Sequence, residues 1–214
     1  MMAPVFMAGW LRRSSMRLPG FWRNGRTAGP EPGSREMPDW RGCSGRKRRS
    51  ARLAELAGLP VRPVRAVLFD KNDRADWSLG WHQDRTIAVR AEADLPGFGP
   101  WTVKQGICHV EPPFALIEGM LTVRIHLDPV DAGNAPLLIV PGSHRLGRIA
   151  VADVDAIVAR APVFSCLADT GDVWIYRTPI LHASHAARPG RRRRVLQVDY
   201  AAGDLPAPLE WLGI

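Results

Sequence analysis

A histidine and a carboxylate two residues apart, His82 and Asp84 in Trp81-His82-Gln83-Asp84, stand in a stretch that otherwise reads as strand. Side chains at i and i+2 of a strand point to one side, so this imidazole and this carboxylate are expected to converge. One more histidine would make a 2-His-1-carboxylate triad, which holds Fe(II) by one face and leaves the opposite positions open for a co-substrate and dioxygen. His182 is a candidate third ligand. His185 competes with it, because residues three apart cannot share one face of a strand. A second His-x-Asp, His126 and Asp128, is equally strand-like, so spacing alone does not choose between the two pairs.

The run Arg191-Arg192-Arg193-Arg194 would ordinarily be a solvated charge run or a phosphate patch. Here Val195 to Tyr200 continue it as a strand, so alternate arginines must face opposite sides. Inside a barrel, a guanidinium fork matches a carboxylate through two parallel hydrogen bonds. Leu196, Val198 and Tyr200 share a face with Arg194, which would turn that arginine inward if the interior were apolar. An enzyme barrel can reverse this, with a polar interior and helices over the outer face, so periodicity leaves both Arg193 and Arg194 open.

These residues need strands to hold them. Val61, Val64, Val67, Leu68 and Phe69 form a strand-like run, closed by the turn-rich Asp70-Lys71-Asn72-Asp73, and Trp81 to Arg90 carries His82 and Asp84 into a second strand. Asp94 to Pro113 reads as a loop long enough to be a lid or binding loop, with His109 at its end. Strands are expected over Met120 to Asp128 and Pro136 to Val140, before Pro141-Gly142-Ser143-His144, where His144 reads as structural. Val151 to Ala161 is the clear helix of the body, with Val151, Val154, Ile157 and Val158 on one stripe. Val163 to Leu167, Asp172 to Arg177 and Arg193 to Tyr200 complete the strands. Many short strands with turns between them predict a mainly β double-sheet jelly roll or barrel with a few flanking helices.

The net charge of +8 sits in the first quarter of the chain: residues 1–50 hold 11 Lys/Arg against 3 Asp/Glu, and residues 51–214 are balanced at 18 each. A basic tail is a different thing from a basic binding face, so nucleic-acid binding is at most a property of that tail. Residues 1–50 are rich in Gly, Pro, Arg and Ser, with little to bury, and are expected to be disordered. The same composition is what out-of-frame reading of a GC-rich gene would give. Ser50 to Gly58 reads as a short helix, with Ser50 as N-cap and Gly58 as its stop. The division expected is a basic segment over 1–50 and one folded domain over 51–214. Cys43, Cys108 and Cys166 are odd in number and far apart, which fits a reducing, cytoplasmic setting. No apolar run reaches the roughly 18 residues of a membrane span.

The segments LFDKN, WHQD with TIAV, GPW, LTVRIHLD, APLLIVPGSH, GDVWIYRTPILHAS and RRVLQVDYA, in this order, resemble the phytanoyl-CoA dioxygenase family of Fe(II)/2-oxoglutarate oxygenases over about residues 60 to 205. The resemblance implies a double-stranded β-helix, the cupin-like form of the jelly roll. It implies His82, Asp84 and His182 as metal ligands, His182-Ala183-Ser184 matching the family's His-x-Ser, and leaves His126 and Asp128 aside. It also implies Arg193 as the residue holding the far carboxylate of 2-oxoglutarate, with Ser184 and Trp101 near the co-substrate. The expected activity is hydroxylation of a small molecule with dioxygen. The alternatives are a non-catalytic β-helix and, further off, nucleic-acid binding through the tail. The family's longer helical region before the barrel has no counterpart in the sequence of residues 1–50.

Overall fold

In the computed structural model of the protein, the described residues are 60–73 and 76–214, together with 55, 57 and 58. The basic segment and the Ser50 cap lie outside them. Gly58 takes a positive φ of 80° and its N–H donates to the Glu55 carbonyl, as a helix stop would.

Among the described residues, eleven strands form three antiparallel sheets. The first has the order β1 (Arg62–Lys71), β11 (Arg193–Ala201), β6 (Leu121–His126), β9 (Val173–Arg177). The second runs β2 (Leu79–His82), β10 (His182–Ser184), β7 (Leu137–Ile139), β8 (Phe164–Cys166). Leu137, Ile139 and Cys166 of the second sheet pack against Tyr176 of the first, so the two enclose one interior. This is the jelly roll expected from the strand pattern, in the double-stranded β-helix form that the family resemblance implies. A third sheet has the order β3 (Ile87–Val89), β5 (Ile107–Val110), β4 (Trp101–Lys104). It packs with Val64, Met120, Leu205, Leu209 and Trp211 in the largest apolar cluster.

The first sheet has two unlike faces. Thr122, Arg124 and His126 of β6 and Arg193, Gln197 and Asp199 of β11 are buried on the inner face. Leu121, Val123, Ile125, Val173, Ile175 and Tyr200 line the outer face and pack with Ala57 and Val61. The polar side of the sheet therefore faces the interior.

Four expectations are corrected. The strand drawn from Trp81 to Arg90 stops at His82 and resumes at Ile87, so Asp84 is not on a strand. The residues taken as a turn after Phe69 begin with two more residues of β1, which runs to Lys71. The loop from Asp94 to Pro113 contains the β4–β5 hairpin, turned by Gln105 and Gly106 with φ of 52° and 77°. Positive φ at both turn residues is what a two-residue hairpin needs, and Gln in place of Asn or Asp hid it. The helix from Val151 is a 3-10 turn, Val151–Asp153, before an α-helix, Val154–Arg160. Val151 is exposed, while Val154, Ile157 and Val158 pack on Val140, Ile149 and Leu181. A further short helix, Phe114–Glu118, leads into β6. Among the described residues, no helix is long and apolar enough to cross a membrane.

Candidate metal centre

His82 and His182 are brought together by strand pairing. They are direct partners across β2 and β10, and their ring centroids lie 4.3 Å apart. Each imidazole is held in the same way: Nδ1 of His82 lies 2.7 Å from the Gly80 carbonyl, and Nδ1 of His182 lies 2.9 Å from that of Ile180. A carbonyl can only accept, so each Nδ1 carries the proton and each Nε2 offers a lone pair to the interior. Such a bond to the outer nitrogen fixes the tautomer and orientation a metal requires. Burial holds His182 below the ordinary histidine range, against the opposing pull of Asp84, which keeps the ring neutral and able to ligate.

Asp84 completes the group: its Oδ2 lies 3.9 Å from Nε2 of His182, and one ligand atom from each of the three residues falls within 4.8 Å of the others. It reaches this position although β2 has ended, because the intervening residue is fixed. The Gln83 side chain is buried on the opposite side, donating from Nε2 to the carbonyls of Pro179 (2.8 Å) and Gly147 (3.0 Å) and accepting the Ile149 N–H at 2.9 Å. With both amide ends of Gln83 bonded, His82 and Asp84 are left on the other side together. The role of Gln83 was visible in the sequence only as its place between two ligands.

The second ligand strand is anchored by Ser143. Its hydroxyl donates to the Val140 carbonyl at 2.7 Å and accepts the Leu181 N–H at 2.8 Å, tying the residue before His182 to the turn after β7. Gly142 allows that turn with φ of 87°, a region that favours glycine. The motif first read as the end of a strand unit is thus a brace for His182.

Arg193 and Arg194 resolve by direction. Arg193 is buried on the inner face, where it donates to the Ala135 carbonyl and where burial above all pushes it down to about 10. Arg194 faces outward and binds Asp128 through two guanidinium bonds, of 2.9 and 2.7 Å, and a backbone bond of 2.8 Å. That same contact takes Asp128 away from His126, which is buried on the inner face, so the second His-x-Asp forms no metal group. His185 is exposed and His144 is half-buried in a 3-10 turn.

Lys71 stands across from Arg193 in the β1–β11 register and is fully buried. Its ammonium donates to the carbonyls of Trp77 and, at 2.9 Å, His185, lies 3.3 Å from Oγ of Ser184, and has Asp76 at 3.8 Å. Burial first, and then Arg193, lowers it to about 8. Lys71 went unrecognised because its segment looked like a turn. Lys71 thus bonds Ser184, two residues after His182, and stands across the register from Arg193. Trp101 lies on β4 against the cluster of Ile87, Val110 and Trp211, and among the described residues no hydrogen bond or ring contact joins it to this group.

Two histidines with free Nε2 atoms and one carboxylate fit a divalent iron centre by their chemistry, and the buried cations beside them fit an anionic co-substrate. The sequence profile of phytanoyl-CoA dioxygenase matches residues 51–195. Among solved structures, the chain is similar to AviO1 from Streptomyces viridochromogenes Tue57, at 21% identity and a TM-score of 0.55 over 89% of this chain and 77% of that one. It is similar to SnoK from nogalamycin biosynthesis, a non-heme alpha ketoglutarate dependent carbocyclase, at 20% identity and a TM-score of 0.54, covering 77% of this chain and 58% of that one. It is similar also to EctD from S. alaskensis, solved with bound Fe, at 19% identity and a TM-score of 0.53, covering 77% of this chain and 55% of that one. The chain thus spans little more than half the length of the latter two. No curated protein matches.

Proposed function

The chain belongs to the phytanoyl-CoA dioxygenase family, and on that premise we propose that it is an Fe(II)- and 2-oxoglutarate-dependent dioxygenase that hydroxylates a small-molecule substrate. The observation that carries this reading is the cross-strand pair of His82 and His182, with Asp84 beside them and each histidine locked with Nε2 inward. The proposal assigns the oxygenase domain to residues 51–214 and places the protein in the cytoplasm.

His82, Asp84 and His182 would hold the iron, and Arg193, Lys71 and Ser184 would hold 2-oxoglutarate by the carboxylate far from the metal. Iron with this co-substrate supplies the oxidising chemistry; the chain supplies grip, orientation and exclusion of water. Burial strengthens the charge contacts of Arg193 and Lys71 with a carboxylate, since little water competes there. A cavity lined by Asp84, Arg65, Thr86, Thr178, Asp199 and Trp211 opens beside the ligand carboxylate and is where the substrate would approach.

Anaerobic titration of the Fe(II) protein with 2-oxoglutarate tests the reading, because chelation of the metal by the keto acid gives a weak visible charge-transfer band. Folded protein that gives no band would instead be a non-catalytic β-helix. Succinate release against a panel of small substrates, with His82→Ala as control, then identifies the reaction.

A further inference from the structure

The cavity beside Asp84 has two unlike walls. Val64, Ile87, Met120 and Trp211, all members of the largest apolar cluster, make one. Arg65, Asp199 and Thr178 make the other. Arg65 and Asp199 are direct partners across β1 and β11, and the register shifts between Pro63 and Arg65. Such an irregularity re-aims side chains. Here it lets the consecutive residues Val64 and Arg65 both border the cavity, one on each wall.

This pair is open where Arg194 and Asp128 form a closed one. Arg194 grips its partner with two guanidinium bonds of 2.9 and 2.7 Å. Nη1 of Arg65 stands 3.5 Å from Oδ2 of Asp199, too long for a good hydrogen bond, and its Nε is buried with no hydrogen-bond partner. Asp199 is not free to swing and close the gap. Its Oδ1 accepts from Thr122 and from Gln197 at 3.1 Å each, which fixes the carboxylate and leaves Oδ2 toward Arg65. Asp199 is buried and Arg65 half-buried, so a contact left unmade between them is costly and a ligand that completes it gains in proportion.

The chemistry of the gap selects the group that fills it. A carboxylate only accepts: it would suit Arg65 and set a second anion against Asp199. An ammonium only donates: it would suit Asp199 and set a second cation against Arg65. A hydroxyl both accepts and donates, and one oxygen can lie at hydrogen-bond distance from two atoms 3.5 Å apart. Asp199 is raised to about 6, by burial first and then by Asp84, so at neutral pH it is ionised and the pair is balanced in charge.

We propose that Arg65 and Asp199 are specificity-determining residues that read the hydroxyl of a neutral alcohol, whose hydrocarbon body lies on the apolar wall of the cavity that Asp84 borders. This rests on the oxygenase reading above and names its substrate class: an uncharged, hydroxyl-bearing molecule with an apolar face, not an acid or an amine.

Ligand-observed NMR titration of the metal-free full chain at neutral pH tests it with cyclohexanol, cyclohexanecarboxylate and cyclohexylammonium, which share one hydrocarbon body and differ in charge and hydrogen bonding. Wild type is expected to bind cyclohexanol about fivefold or more tighter than either charged probe. Asp199→Asn removes the anion and should shift the preference toward the carboxylate by about tenfold. Arg65→Met removes the cation and should weaken cyclohexanol by about tenfold while shifting the preference toward the ammonium. A pair with only a structural role would weaken all three probes alike. That result overturns the proposal, as does a wild-type preference for a charged probe or no binding of the alcohol. Arg65→Lys keeps the charge without the fork and decides the matter if the Met variant does not fold: cyclohexanol weakened by about threefold or more supports the assignment, and an unchanged affinity overturns it. The visible band of the Fe(II) protein without a preference for cyclohexanol overturns this inference alone; the preference without the band overturns the oxygenase reading alone.

Discussion

Arg193 and Arg194 are neighbours in sequence and opposites in structure. Arg193 is buried and, among the described residues, forms no ion pair, while Arg194 sits at the outer surface with Asp128 in a two-point bond. The same contrast runs through the whole first sheet. Its inner face carries Lys71, Arg124, Arg193, Gln197 and Asp199, and its outer face carries Leu121, Val123, Ile125 and Ile175 under Ala57. Apolar packing lies on the outside of this sheet and buried polar groups on the inside, the reverse of a sheet packed on an apolar core.

Substitutions on the two faces should separate these roles. The largest effect belongs to the ligands: His182→Ala or His82→Ala is expected to abolish 2-oxoglutarate-coupled turnover, measured as succinate release, and retained turnover would show the metal is held elsewhere. Next, Arg193→Met should raise KM for 2-oxoglutarate by about a hundredfold, the loss of a buried, charge-assisted contact, while Arg194→Met leaves KM unchanged and lowers stability by about 1 kcal/mol or less in denaturant titration. If the two variants behave alike, the division of faces is wrong. Gln83→Leu, which removes three bonds behind the ligands, should lower metal affinity by about tenfold to a hundredfold with the fold retained, read by metal titration and circular dichroism.

The smallest effect is a dependence on pH. Lys71 is held at about 8 by burial and by Arg193 and Arg124, against the pull of Asp76, so it is cationic below that pH and neutral above it. Affinity of metal-free protein for 2-oxoglutarate should weaken as pH rises through about 8, and Lys71→Met should flatten that profile. The sign for stability is opposite. Between about 8 and its ordinary 10.5 the unfolded chain holds the proton that the folded one has lost, so the cost of burying this lysine shrinks as pH rises through that window.

Much of this was legible in residue types. Residue type, spacing and family resemblance single out His82, Asp84 and His182, and most strands announce themselves by runs of Val, Ile and Leu. Strand periodicity accounts for Asp84 only in part: two residues of one strand share a face, whereas here the strand ends at His82 and Gln83 does the aligning from behind. Such a contact joins residues more than sixty apart, which no local pattern records. Lys71 was lost because Asp70-Lys71-Asn72-Asp73 has the composition of a turn, although cross-strand pairing with Arg193 keeps Lys71 extended. Periodicity could not orient Arg193 and Arg194, because the apolar side of β11 packs outward on neighbours supplied by other strands.

The pairing of His82 with His182 has one more consequence. The two residues lie about a hundred positions apart, so an ion bound by both would close a loop spanning nearly half the chain. It would act as a removable cross-link, absent from the unfolded ensemble because the donors meet only once β2 and β10 are in register. A covalent closure of that length is worth about 4 to 5 kcal/mol in the chain-entropy picture. The metal would then clasp the two halves of the β-helix, and a chelator would loosen the fold as well as silence the enzyme.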